Sequence, residues 1–312
     1  MTPTPERAIL SRYPSAVANL DWTALGSAGG FSGFSGARVW RGDLAGQPAF
    51  ALKGWPNGYP AERLAAVHRW MAAARVTGLV PTIVPTRDGG SLVEHAGHVW
   101  DVTAWVPGAA DFRRDPSDAR LTAACTALAA LHRCWATQPP THTPCPGVLR
   151  RLAMLDDFNA DSLARSRGLD LLRSHVPSAI AALRPWADRP VSVFPCLCDV
   201  WHDHVFFSGD RVTGVIDYGA MKIDHPAVDL ARLLGDLVDG DLDRIRHGLA
   251  AYHTAGGPVA IDPNFVSLLD RTGLVCAVIH WISHSKIARP DDSQIARRMA
   301  RLLSRLSVQA TT

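Results

Sequence analysis

Two aspartates, Asp199 and Asp217, flank a short apolar hairpin, and their placement is the clearest chemical signal in this chain of 312 residues. Asp199 lies in the run Cys196-Leu197-Cys198-Asp199-Val200-Trp201-His202-Asp203-His204. Residues 205–207 and 212–216 read as two β-rich runs joined by Ser208-Gly209-Asp210, a hairpin turn signal. A hairpin carries the chain back to where it started, so the acid that enters and the acid that leaves are expected to meet. That is the arrangement phosphoryl transfer needs: one carboxylate orients the attacking hydroxyl and accepts its proton, and the other holds the metal on the nucleotide phosphates.

The same stretch resembles the aminoglycoside phosphotransferase and choline kinase-like family. Its pattern reads H-G-D-x-x-x-x-N, then a hairpin, then an I-D-x-G step. Ile216-Asp217-Tyr218-Gly219 matches the last step, and Asp224-His225-Pro226 with Asp229-Leu230-Ala231 matches the D-P-x-x-D-L-A that usually follows. The resemblance implies a catalytic role for Asp199 and a metal role for Asp217 and His204. It also implies ATP or GTP as co-substrate with Mg2+ or Mn2+, and a small-molecule hydroxyl as acceptor. Two positions depart from the pattern: Leu197 stands where the family has His, and His204 where it has Asn. Imidazole suits softer metals than Mg2+, which favours oxygen.

Upstream, the glycine-rich run from Leu25 to Gly36 leads into apparent strands at 37–41 and 49–53, the second ending in Lys53. In a kinase-like lobe such a loop covers the nucleotide phosphates and the lysine grips them. Gly30, Ser32, Gly33 and Lys53 are therefore the expected phosphate-side residues. A helix glutamate pairs with that lysine in the family, and Glu62 is the only glutamate near the following helix, expected over 61–75. A second hairpin, 91–94 with 98–106 across Ala96-Gly97, runs into Trp105-Val106-Pro107-Gly108. This reads as the hinge between lobes, with backbone groups near Trp105 available to a nucleotide base.

Beyond residue 116 the pattern turns to long helices at 117–135, 147–156, 170–183, 241–251, 264–287 and 292–306, with another opening at Pro226 and Asp224 as its cap. The expected fold is α+β: a two-lobed protein-kinase-like fold with a small β-rich lobe at 1–103 and a larger, mainly helical lobe at 104–312. Hydrophobic residues make up 47% of the chain, ample for a sizeable core. A net charge of +3 with dispersed Lys and Arg argues against a nucleic-acid partner. The six cysteines lack the spacing of a secreted scaffold, and the longest apolar run is broken by His280, so a soluble cytoplasmic protein is expected, without membrane attachment. Asp236, Asp239, Asp241 and Asp243 form an acidic cluster, either a lure for a cationic acceptor or a solvated turn. Two alternatives stay open: a nucleotide-binding pseudokinase, motivated by Leu197 and His204, and a metal-dependent phosphohydrolase built on His202-Asp203-His204.

Overall fold

Trp40, Phe50 and Leu52 lie on the two neighbouring strands at the centre of a sheet. In the computed structural model, which describes residues 7–25, 36–136, 139–158, 169–284 and 293–308, β1 (Asp21–Leu25), β2 (Arg38–Leu44), β3 (Gln47–Gly54), β4 (Val93–His95) and β5 (His98–Ala104) form a five-stranded antiparallel sheet in the order β1-β2-β3-β5-β4. Trp40 and Leu52 are direct partners across β2 and β3, and both are buried with Trp100, Val102, Val93, Ile9, Tyr13 and Val17. Helices α1 (Arg7–Leu10) and α2 (Ser15–Ala18) thus serve to cap a core that the sheet organises. Gly30, Ser32 and Gly33 lie outside the described residues.

The hairpin of β8 (Val205–Ser208) and β9 (Arg211–Val215) belongs with this sheet unit, although it comes a hundred residues later in the chain. Phe207 and Ala109 exchange backbone hydrogen bonds at 2.9 and 3.0 Å, and the Val215 N–H donates to the Leu79 carbonyl at 2.8 Å. The compact units are consequently Met1–Ala110 with His204–Gly219, and Asp111–Asp203 with Ala220–Thr312, rather than the two continuous halves of a 103/104 division. Gly108 makes the docking possible. Its φ is +96°, and a Cβ there would come within 2.3 Å of the Phe207 carbonyl oxygen.

The second unit contains α4 (Asp118–Trp135), α5 (Pro146–Asp156), α6 (Leu169–Leu183), α7 (Ala227–Val238), α8 (Leu242–Thr254), α9 (Pro263–His284) and α10 (Ser293–Val308). With them is a small sheet of β6 (Thr141–Pro144), β7 (Pro190–Cys196) and β10 (Lys222–Asp224), ordered β10-β7-β6. Ser117 caps α4 by accepting from the Arg120 N–H, and Asp241 caps α8 by accepting from Asp243 and Arg244, satisfying donors the first helical turn leaves open. Helix α9 is long and apolar enough to span a membrane by length and composition alone. Here it is a core helix: Val266, Leu269, Val275, Val278 and Ile282 are buried, and it packs against α6, α7 and α10.

Asp224 is not the cap of α7. Its buried carboxylate accepts from the Gly147 N–H at 2.9 Å and the His225 N–H at 2.8 Å, and it pairs with Arg150. The N–H of Ala227 instead donates to Nδ1 of His225 at 3.1 Å. Burial lowers the His225 pKa from 6.5 to about 4, against the pull of Asp224 and with that of nearby His132. A group held neutral in the fold stabilises it fully above the unfolded pKa and progressively less as pH falls toward the folded one. We therefore expect His225 to withdraw roughly 3 kcal/mol of stability between pH 6.5 and 4. His225→Asn, whose amide oxygen can still accept from Ala227, should flatten that limb in urea unfolding. Equal pH slopes in the two proteins would remove His225 as the cause.

Candidate active site

Within the sheet unit, three predicted residues come together. Nζ of Lys53, near the end of β3, lies 2.8 Å from Oδ1 of Asp217. Nε2 of His204, at the entry to β8, lies 3.7 Å from Oδ2 of the same aspartate. Asp217 leaves β9 with φ at +62°, a left-handed conformation that Asp tolerates better than most residues and that is enriched at functional sites. Burial alone would raise its carboxyl, but Lys53, His204 and the Gly219 N–H outweigh that and hold it below the usual carboxylate range. The donor set suits a divalent cation. Two ligand bonds of ~2.1 Å reach at most ~4.2 Å between donors, so Nε2 and Oδ2 stand close enough to share one ion.

In the helical unit, Asp199 sits in a loop that is fastened along one face of α7. Asp229, Arg232 and Asp236 follow one another at i, i+3 and i+7, which places them on a common stripe of the helix. Asp229, fully buried, accepts from the backbone N–H groups of Leu197 and Cys198 at 2.7 and 2.6 Å. Cys198 has φ at +64°, which turns the two successive N–H groups toward one carboxylate. Arg232 donates from Nε to Oδ1 of Asp199 at 3.1 Å, and its guanidinium lies over the Trp201 ring. Asp236 accepts from the His202 N–H at 3.0 Å and bonds the imidazole Nδ1 at 2.5 Å. The catalytic candidate is thus carried on a loop whose backbone is pinned on both sides of it, while its own side chain remains 46% exposed.

Asp236 is neither lure nor solvated turn. It is buried, and burial would raise its carboxyl, but His202, Arg113 and Arg232 hold it well below the ordinary carboxylate range. Arg113 reaches its Oδ1 at 2.8 Å, and Arg301 of α10 donates to its carbonyl at 2.8 Å. Nor does the loop lack support for want of a histidine at 197. Leu197 is buried, and the His132 side chain from α4 bonds Oδ2 of Asp229 at 3.0 Å, the oxygen that also accepts from the Leu197 N–H. The signal for this arrangement was present in the sequence as helical spacing after Asp229, but no local rule says which loop such a stripe faces.

Glu62 does not meet Lys53. It is exposed in the first turn of α3 (Ala61–Ala73), while the buried stripe of that helix is Leu64, Val67, His68 and Met71. Among the described residues, Lys53 has its ion pair with Asp217. Trp105 is partly buried, and its N–H already donates to the Ala49 carbonyl at 2.9 Å, so that donor belongs to the sheet rather than to a ligand. The Pro107 carbonyl is used as well, accepting from the Thr213 hydroxyl at 2.5 Å.

The profile described as the Phosphotransferase enzyme family matches residues 30–263. Curated protein sequences give no match. Among solved structures, a spectinomycin phosphotransferase in complex with ADP and spectinomycin aligns with a TM-score of 0.66 at 10% identity, over 94% of this chain and 93% of that one. An amicoumacin kinase in complex with AMP-PNP, Ca2+ and Ami aligns with a TM-score of 0.67 at 10% identity, over 97% and 91%. A choline/ethanolamine kinase family protein from Mesorhizobium loti aligns with a TM-score of 0.59 at 18% identity, over 97% and 98%. At these identities the likeness establishes the fold, which is the two-lobed kinase-like α+β fold.

Proposed function

Since the chain belongs to the phosphotransferase enzyme family, we propose that it transfers the γ-phosphoryl group of ATP or GTP to a hydroxyl of a small molecule. The observation that carries this reading is the convergence of Lys53, Asp217 and His204 in one unit, a cation beside a carboxylate and a second ligand atom. In the proposal Lys53 binds the phosphates, and Gly30, Ser32 and Gly33 cover them. Asp217 and His204 hold the divalent metal, which when bound neutralises charge on the phosphates. Asp199 orients the acceptor hydroxyl and takes its proton, and its loop on α7 keeps that carboxylate in place. The soluble partners are a nucleotide and a hydroxylated metabolite or antibiotic, and the compartment is the cytoplasm, where thiols stay reduced.

The test is a panel of amino alcohols, aminoglycosides and other hydroxylated small molecules, each with ATP and with GTP. Turnover is followed by nucleotide consumption and by phosphorus NMR of the product. Acceptor-dependent formation of a phosphate ester is expected. Nucleotide binding without turnover on any acceptor would mark a pseudokinase, and acceptor-independent release of phosphate from a phosphorylated substrate would mark a hydrolase.

His204 yields a sharper expectation. An imidazole ligand favours Mn2+ over Mg2+ more than an amide oxygen does, so His204→Asn should keep activity and raise the ratio of Mg2+ to Mn2+ activity by roughly tenfold. An unchanged metal preference would exclude His204 as a ligand.

A further inference from the structure

Lys53 has an aspartate directly across the sheet and does not use it. The residue paired with Lys53 on β5 is Asp101, and residues facing each other across an antiparallel ladder share a face of the sheet. Asp101 is buried, and both of its oxygens are engaged elsewhere. Oδ1 accepts from the indole Nε1 of Trp55 at 2.7 Å, and Oδ2 meets Nε2 of His68 at 3.2 Å. A carboxylate only accepts, so Nε2 of His68 carries its proton here. Meanwhile Trp55, two residues beyond Lys53 and just past the end of β3, places its ring 3.9 Å from the lysine Nζ.

The ring is fixed from several directions. Trp55 is buried with Leu64 and Val99, its backbone N–H donates to the Val99 carbonyl at 2.8 Å, and Tyr59 lies against it with ring centroids 4.6 Å apart. It also abuts the segment after Asp217, because a Cβ on Gly219 would fall within 2.4 Å of the indole. Glu62 stands six residues before His68, and at about 100° per residue that is roughly 120° around the helix from it. The face of α3 turned to the sheet therefore offers a histidine where a glutamate was expected.

We propose that Trp55, oriented by Asp101 and His68, is the positioning residue for Lys53, in place of a helix glutamate. The proposal rests on the reading of Lys53 as a phosphate-binding residue. Beside the ion pair with Asp217, the aromatic face attracts the ammonium without neutralising it, so this second hold takes up none of the charge a phosphate needs. The indole N–H does a second job by occupying the carboxylate that would otherwise capture the lysine across the strand. His68 does the same from the helix side.

The experiment measures dissociation constants of Mg-ATP and Mg-GTP by calorimetry on the full chain, with thermal unfolding as a check on folding. Trp55→Phe keeps a ring but frees Oδ1 of Asp101, and it should weaken nucleotide binding about tenfold. Adding Asp101→Asn to Trp55→Phe removes the competing charge and should recover most of that loss, which a merely structural role would not do. In a Lys53→Met background, Trp55→Phe should change affinity by less than about twofold, because the residue it positions is gone. Trp55→Phe binding as tightly as wild type overturns the proposal alone. So does Asp101→Asn deepening the loss, or the same loss appearing without Lys53. Should wild type bind neither nucleotide, the phosphoryl-transfer reading falls and the proposal with it.

Discussion

Asp199→Asn is expected to lower kcat for phosphoryl transfer by about 10²- to 10⁴-fold, the usual worth of a positioned general base, while the dissociation constant for metal-nucleotide changes little. The substitution is nearly isosteric, and its amide oxygen can still accept from Nε of Arg232. The loop itself is held through the backbone N–H groups of Leu197, Cys198 and His202, none of which depends on the Asp199 side chain. Loss of rate would therefore report loss of the base rather than collapse of the loop. The check is kcat and KM on the best acceptor from the panel, together with nucleotide affinity measured without acceptor. An Asn variant with wild-type kcat would remove Asp199 from the chemistry, and a large parallel loss of nucleotide affinity would move it to the phosphate side.

Asp217→Asn should behave differently, with metal-nucleotide affinity and kcat falling together, each by about 10²-fold, because the proposed metal role of the group is joined to its ion pair with Lys53. Asn accepts the left-handed backbone at this position as Asp does, so the change isolates the charge from the conformation. Excess metal should recover part of the affinity. If the metal dependence of turnover is the same in both proteins, Asp217 is not a ligand.

Local signals in the chain carried much of this picture. The two apolar runs around Gly209 form the hairpin as expected, with the strands closing on a two-residue turn of Gly209 and Asp210. Ser117 and Asp241 stand at helix starts because a short polar side chain there satisfies free N–H groups within three residues. Lys53 falls on a strand because its neighbours are apolar and its turn residues precede them. Each of these depends on residues a few positions apart, and the physics that selects them is equally local.

What lay beyond such rules was every decision between distant segments. The stripe of Asp229, Arg232 and Asp236 was present in the sequence, but its facing of residues 197–202, across 31 to 34 positions, was set by how α7 packs in the helical unit. Glu62 looked like the partner of Lys53 by residue type, whereas the buried face of α3 selected His68 for the sheet and left the glutamate in water. The hairpin at 205–215 joined the unit of the first 110 residues because Gly108 lets the Phe207 carbonyl approach, a contact only the folded chain contains. The sequence by itself determined which residues have the chemistry and which short elements carry them. Tertiary structure alone decided their partners, because a buried carboxylate must find donors wherever packing brings them and periodicity says nothing of which segment that will be.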